Sequence, residues 1–251
     1  MTLIIAADAH DHLILAGDHC AVLSRVSNPG ASRAVLDNYR KVYPWKYGAI
    51  AASGDVFLMA YIYRLFLHHA SKGRPVNVLQ VAREAKATRS ATGVPPDHST
   101  GSIYFTLPGN ENFHLHGLHI TADTIIHETI DPLTTCFSMH RDAPEPSAYE
   151  VFNSQLRPSF FFSSIAEFQR HHLDLLTRFF RDQSAVDDLV TASFDVCMLD
   201  KRTGIGSFWQ MSERFRQLVT LELSADDATR VAQIEATNMR SSSLATPLSL
   251  P

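Results

Sequence analysis

Strand-length apolar segments in this chain come as hairpins, and helix-length segments come between them in pairs. Residues 2–7 form an apolar run, 8–12 a polar turn, and 13–18 a second strand. Residues 24–37 are polar, with Asn28-Pro29-Gly30 as turn punctuation. A second hairpin is expected from strands at 39–43 and 47–52 around a turn at 44–46. Apolar spacing then turns helical over 56–70, stops at Gly73, and resumes over 76–89 behind Pro75. Strand periodicity returns at 101–107, 112–119 and 124–129. Residues 141–158 carry Pro144, Pro146 and Pro158 and read as a long excursion. A helix opens at Ser163-Ser164 and runs to about Arg181, followed by a shorter one over 184–192. A last hairpin, 194–200 and 206–211, turns across Arg202-Thr203-Gly204, and 226–238 reads as a C-terminal helix.

Hairpins alternating with helix pairs bury apolar faces best as antiparallel sheets covered by helix layers, an α+β sandwich. The order is not that of a doubly wound fold, and neither GxGxxG nor a phosphate loop is present. A hydrophobic fraction of 45% suits a folded chain and excludes disorder throughout. No apolar run is long enough to span a bilayer, so no membrane association is expected. The N-terminal run ends at Asp8 and has no basic residues before it, so it does not read as a signal peptide. Cys20, Cys136 and Cys197 are too few and too scattered for a disulfide framework, and a reducing, cytoplasmic setting is expected. A net charge of −4 gives no reason to expect a nucleic-acid partner.

Thirteen histidines raise the question of a metal. His114 and His116 share one strand face, His10 and His12 flank a turn, and the pairs His68-His69 and His171-His172 diverge on helices. No His-Glu-x-x-His and no third ligand accompanies them, so neither a metal nor a cofactor is expected. Cys197 lies inside an apolar strand, where a thiol is inert, and Phe160-Phe161-Phe162 reads as core packing.

The chemistry starts at Thr2. A small second residue permits removal of Met1, and no propeptide is expected ahead of it. The freed α-amine has an ordinary pKa of about 7.7–8 and can act as base to its own hydroxyl. Asp18 closes the first hairpin and can return beside the chain start, and Lys41 opens the second. The turn into the first helix is Ala52-Ser53-Gly54-Asp55.

These segments, Thr2-Leu3-Ile4-Ile5-Ala6, Leu15-Ala16-Gly17-Asp18, Lys41-Val42-Tyr43 and Ala51-Ala52-Ser53-Gly54-Asp55, together resemble the start of a proteasome β-type or HslV-like subunit. Later, Ser163-Ser164 resembles that family's Gly-Ser-Gly helix start, and Asp195-Val196-Cys197-Met198 its Asp-Ile-Cys-Ile strand. The resemblance covers residues 2–212. It implies a four-layer α-β-β-α N-terminal nucleophile hydrolase domain over 1–212, a C-terminal extension over 213–240, and a disordered tail over 241–251.

Carried over by residue, the resemblance makes Thr2 the nucleophile and Lys41 the cation that lowers the pKa of its hydroxyl and amine. Asp18 would orient Lys41, and Ser164 would join the proton-relay shell. Backbone N–H groups around Ala52, Ser53 and Gly54 would hold the oxyanion. The segment before Lys41 is longer than the family's, and the family's Asp-x-x-Ser-Gly pattern is absent. Asp188 and Thr191 keep an Asp-x-x-hydroxyl spacing and stand in for it. The implied activity is threonine-type hydrolysis of peptide or unfolded-protein substrates inside a homo-oligomeric double ring, with room for an unfoldase partner. A catalytically silent ring-forming scaffold and a small-amide amidase are the alternatives.

Overall fold

The computed structural model describes residues 3–23, 34–36, 38–45, 47–71, 76–138, 146–211 and 221–222. In chain order the elements are β1 (Ile4–Asp8), β2 (His12–Asp18), β3 (Ala21–Leu23), β4 (Ala34–Leu36), β5 (Val42–Trp45) and β6 (Gly48–Gly54). There follow α1 (Val56–Ser71), α2 (Val78–Ser90), β7 (Gly101–Pro108), β8 (Phe113–Ile120), β9 (Ile125–Thr129) and β10 (Thr135–Ser138). The chain continues through α3 (Pro146–Gln155), α4 (Ile165–Ser184), β11 (Phe194–Asp200), β12 (Gly206–Met211) and β13 (Leu221–Glu222).

The fold is α+β. One antiparallel sheet runs β10-β1-β2-β11-β12-β13, a second runs β5-β6-β7-β8-β9, and β3 and β4 form a two-stranded ribbon. Alternation along β1 explains the first sheet. Leu3, Ile5 and Ala7 pack with Phe168, Leu176 and Phe180 of α4 and Phe152 of α3. Ile4 and Ala6, pointing the other way, pack with Val42, Ala51, Tyr104 and Leu115 of the second sheet. Both faces of β1, β2 and β11 are therefore buried, which is why they read as continuous apolar runs rather than alternating ones. The far face of the second sheet packs Ile50, Ile103, Phe105 and Leu118 against Leu58, Ile62 and Phe66 of α1 and Val81 and Ala85 of α2. No helix among the described residues is long and apolar enough to cross a membrane.

Several sequence expectations are corrected. The excursion over 141–158 contains α3, which opens on Pro146, where a missing N–H costs no helical hydrogen bond. The helix expected over 184–192 is absent: α4 runs on to Ser184 and the chain then turns, with Val190 N–H bonded to Asp187 O and the Asp187 carboxylate bonded to Leu189 N–H. Aspartates that bond their neighbours' backbone compete with helix, and nine residues are too few to overcome the nucleation cost. The turn expected at 44–46 is narrower, since Pro44 and Trp45 pair with Ala49 and Gly48; β5 is an edge strand, where proline is tolerated. Strands β3, β4, β10 and β13 are not expected from the sequence. Phe160 and Phe161 are 68% and 66% exposed rather than core, and only Phe162 packs partly against the α4 side. The expected helix over 226–238, and all of 241–251, lie outside the described residues.

His172 links the fold to pH. It is fully buried on α4, its Nδ1 bonded to Phe168 O and its Nε2 accepting Arg157 N–H, so the ring is held neutral. Burial pushes it from the ordinary 6.5 down to about 4, the Phe168 carbonyl opposing and neighbouring His171 adding to the fall. Because the folded value is the lower one, the unfolded chain takes the proton first. The contribution is present above pH 6.5 and is lost as pH falls toward 4, by about 3 kcal/mol. Urea unfolding at pH 7 and pH 4 should show this loss, and His172→Gln should flatten it. An unchanged pH dependence in the variant would contradict the assignment.

Candidate active site

Asp18 ends β2 with no exposed surface. Its Oδ1 accepts the backbone N–H of Leu3 at 2.7 Å and the Lys41 ammonium; its Oδ2 accepts Cys20 N–H at 2.9 Å and Thr191 N–H at 3.3 Å. The backbone N–H of Asp18 in turn donates to Leu3 O at 3.1 Å. Three N–H donors and a cation thus compensate the burial of this carboxylate.

Lys41 is the residue before β5 and is 1% exposed. Burial lowers its pKa below the ordinary lysine value, while the Asp18 carboxylate and then the Cys20 thiol pull it back. Its carbonyl accepts the Tyr63 hydroxyl from α1, which fixes the backbone on the other side. The space for Lys41 comes from Gly17: a Cβ there would lie 2.7 Å from Ile4 Cδ1, 3.1 Å from Val42 Cγ2 and 3.4 Å from Lys41 Cβ. The glycine lets the two sheets close over the lysine stem.

Residues 52–54 end β6. The β5 ladder stops at the pair Val42 and Ala51, so the β5-facing edge of Ala52, Ser53 and Gly54 extends past strand pairing, while β7 holds their other edge. Ala52 and Ser53 are buried at 3% and 4%. The Ser53 hydroxyl pairs with the Ser138 hydroxyl, and Ser138 lies opposite Ile4 on the edge strand β10. Gly54 has φ +122°, where only glycine is unstrained. Asp55, next in the chain, bonds Thr100 O through its N–H and pairs with buried Arg89 of α2.

The structure thus brings together Asp18, Lys41 and Thr191, with Ala52, Ser53 and Gly54 on the facing sheet. Thr191 also accepts His19 N–H at 2.8 Å and donates to Ser193 O at 2.9 Å. Ser164 stands apart: it is exposed and caps α4, accepting Glu167 N–H at 3.2 Å while the Glu167 carboxylate returns to Ser163 N–H. Asp188 is exposed in the turn after α4. Thr2 lies outside the described residues; Leu3, to which it is bonded, is fully buried.

Sequence reasoning missed four groups. Ser138 is the serine that the register sets beside the chain start, hidden because β10 was not recognised. Arg40, His19 and Asp195 form a second cluster, with His19 and Asp195 buried and Arg40 partly exposed: Arg40 Nε donates to Asp195 Oδ2 at 2.9 Å, and His19 Nε2 lies 3.2 Å from Asp195 Oδ1. The cation pair Arg40-Lys41 followed by an apolar strand was the available signal. Among the described residues no group of three or more His, Cys, Asp or Glu could hold a metal ion.

No family model and no curated protein matches the chain. Solved structures match it along nearly its whole length. An Anbu mutant from Hyphomicrobium sp. strain MC1 has 14% identity and a TM-score of 0.56, covering 96% of each chain. Anbu from Yersinia bercovieri, described as an ancestral β-subunit, has 11% identity and a TM-score of 0.55, covering 100% of this chain and 99% of its own. A further Anbu structure from the Hyphomicrobium strain has 12% identity and a TM-score of 0.55, over 96% of each. Identities this low establish the fold alone. They correct the resemblance to a proteasome β-type or HslV-like subunit, because the structures matched are Anbu proteins. Of the quoted motifs, those around Asp18, Lys41 and Ala52-Ser53-Gly54 lie at strand ends or starts, while Ser163-Ser164 opens α4. The chain has the fold of the Anbu structures.

Proposed function

We propose that this chain is a threonine-type peptidase whose nucleophile is Thr2, exposed by removal of Met1, on a four-layer α-β-β-α N-terminal nucleophile hydrolase scaffold. One observation carries the reading: the nitrogen of the Thr2–Leu3 peptide bond donates to the Asp18 carboxylate oxygen that also holds the Lys41 ammonium. Three separate apolar clusters, one under each helix pair and one shared by the sheets, support the layering.

The chemistry then runs as follows. The Thr2 α-amine takes the proton from its own hydroxyl as the oxygen attacks a peptide carbonyl. The positive charge of Lys41 favours the deprotonated hydroxyl and amine. Backbone N–H groups of the 52–54 segment stabilise the tetrahedral oxyanion. Collapse breaks the C–N bond, the α-ammonium returns its proton to the leaving amine, and an ester joins the acyl group to Thr2. Water, deprotonated by the same amine, hydrolyses that ester. Peptides and unfolded proteins are the substrate class, and self-association of the chain into a closed double ring would keep such a nucleophile from other proteins. The description of the Yersinia relative as a β-subunit supports the subunit role.

A silent scaffold subunit is the second reading, favoured by the exposure of Ser164, whose hydroxyl caps α4, and of Asp188, neither of which bonds Asp18 or Lys41 among the described residues. A small-amide amidase would use the same Thr2 chemistry. Peptide hydrolysis by the purified protein separates them. Hydrolysis that Thr2→Ala abolishes supports the peptidase, turnover of small amides alone supports the amidase, and assembly without either supports the scaffold. Intact mass should show Met1 removed; retained Met1 in an active preparation would overturn the Thr2 assignment.

A further inference from the structure

A row of polar side chains on the second sheet has no part in the scheme above. Ser53 of β6 lies opposite Ser102 of β7, and Ser102 lies opposite His119 of β8. His119 in turn lies opposite Ile126, two residues before Glu128 on β9. Paired residues, and residues two apart on a strand, share a face, so Ser53, Ser102, His119 and Glu128 point the same way. Tyr104 and Leu115 on that face pack with Ile4 and Ala6, so the row faces the first sheet. Burial falls along it: Ser53 is buried, Ser102 and His119 are half-buried, and Glu128 is exposed on the edge strand.

Three of these side chains are joined by hydrogen bonds. His119 Nε2 lies 2.7 Å from Glu128 Oε1, and His119 Nδ1 lies 3.0 Å from Ser102 Oγ. A carboxylate only accepts, so Nε2 carries the proton and Nδ1 is left to accept the Ser102 hydroxyl. A hydroxyl on a base that a third group orients is the arrangement that activates a nucleophile. Its surroundings hold it in place. Gly117 faces Glu128 across the ladder, and a Cβ there would lie 3.0 Å from Glu128 Oε1 and 3.2 Å from its Cγ. The Cys136 thiol donates to the same oxygen at 3.9 Å, and the Tyr104 ring stands edge-on to the imidazole at 6.0 Å. The Tyr104 hydroxyl is hydrogen-bonded to Ser102, while burial, then Cys136 and Glu128, push its pKa well above the ordinary 10. A phenol that keeps its proton beside an attacking oxygen is placed to donate to the oxyanion.

We propose that Ser102, His119 and Glu128 form a second nucleophilic site, which hydrolyses small carboxylic esters through an acyl-serine. Ser102 Oγ attacks the ester carbonyl carbon as its proton passes to His119 Nδ1, and Tyr104 donates to the oxyanion. The C–O bond breaks, the alkoxide leaves with that proton as an alcohol, and the acyl group stays on Ser102. Water then attacks, giving a proton to His119, and that proton returns to Ser102 Oγ as the carboxylic acid departs. Glu128 is a positioning residue that fixes the tautomer and the ring. The half-exposure of Ser102 and His119 admits a small acyl group, and a single phenol donor suits an alkoxide leaving group better than an amine. None of this rests on the Thr2 reading.

The test treats the full chain with an alkyl fluorophosphonate, which bonds phosphorus to an activated serine oxygen with loss of fluoride. In a Thr2→Ala background, which removes the other proposed nucleophile, one adduct per chain should form and map to Ser102. His119→Gln should slow it about 100-fold. Glu128→Gln should slow it about tenfold or more, and Glu128→Asp, which keeps the charge, should recover part of the rate. Release of p-nitrophenol from p-nitrophenyl acetate should follow the same order and fall to background in Ser102→Ala. Glu128 is exposed, so its variants keep the test valid where His119→Gln does not fold. A folded protein left unmodified at Ser102, or modified equally fast in His119→Gln or Glu128→Gln, overturns the proposal. An adduct confined to Thr2 in the wild type also overturns it, while leaving the Thr2 reading standing.

Discussion

Lys41→Ala should lower stability by about 3–5 kcal/mol and abolish any Thr2-dependent hydrolysis. The two effects have different causes. Stability falls because Asp18, with no exposed surface, loses the cation that compensates its charge, and because the buried lysine stem leaves a void beneath Gly17. Asp18 keeps the N–H groups of Leu3, Cys20 and Thr191, so the carboxylate is not wholly stranded. Lys41→Met, which refills the volume, should therefore recover part of the stability and none of the activity. Asp18→Asn, leaving the ammonium without its carboxylate, should be destabilised to a similar degree. Urea unfolding of the three variants checks this, and losses below about 1 kcal/mol would mean that the pair behaves as an exposed one.

Gly54→Ala should be comparably severe while changing no charge. At φ +122° an added Cβ would lie 2.3 Å from Thr100 O and 2.4 Å from Gly101 Cα. Both neighbours are backbone, so no side chain can rotate aside. The same Thr100 carbonyl accepts Asp55 N–H, which orients the entry to α1. Strain and overpacking together cost about 2–6 kcal/mol. Relief by displacing residues 52–54 should cut any hydrolysis about 100-fold, since a shift of about 1 Å in an oxyanion donor has that scale of effect. Unfolding midpoints and hydrolysis rates near wild type would show that this segment neither packs tightly nor takes part.

The elements with strong periodicity were legible. The helix at Val56–Ser71 and the hairpin Phe194–Asp200 with Gly206–Met211 stand where the apolar pattern sets them. The alternation of hairpins and helix pairs points to the α+β class, because the apolar faces of helices and sheets must cover one another. Elements whose pairing is long-range were not legible. β10 is four residues long and half-buried, and only its pairing with β1, some 130 positions away in sequence, makes it a strand. Without that pairing Ser138 carries no local signal, whereas Ser164 carries a strong one because it caps a helix. Asp18 and Lys41 were legible because hairpin ends and strand starts are local. Asp195 stands out as a carboxylate in an apolar strand, but its pairing is not legible, because its partner Arg40 comes from 155 residues earlier.

The central claim is that Thr2 is an N-terminal nucleophile served by Asp18 and Lys41. Intact mass spectrometry after treatment with an electrophile that bridges a threonine hydroxyl and its α-amine tests it most directly. The account predicts one adduct per chain lacking Met1, mapped to Thr2, and absent from both Thr2→Ala and Lys41→Met. A folded protein that keeps Met1, or that loses Met1 and takes no adduct, would contradict it.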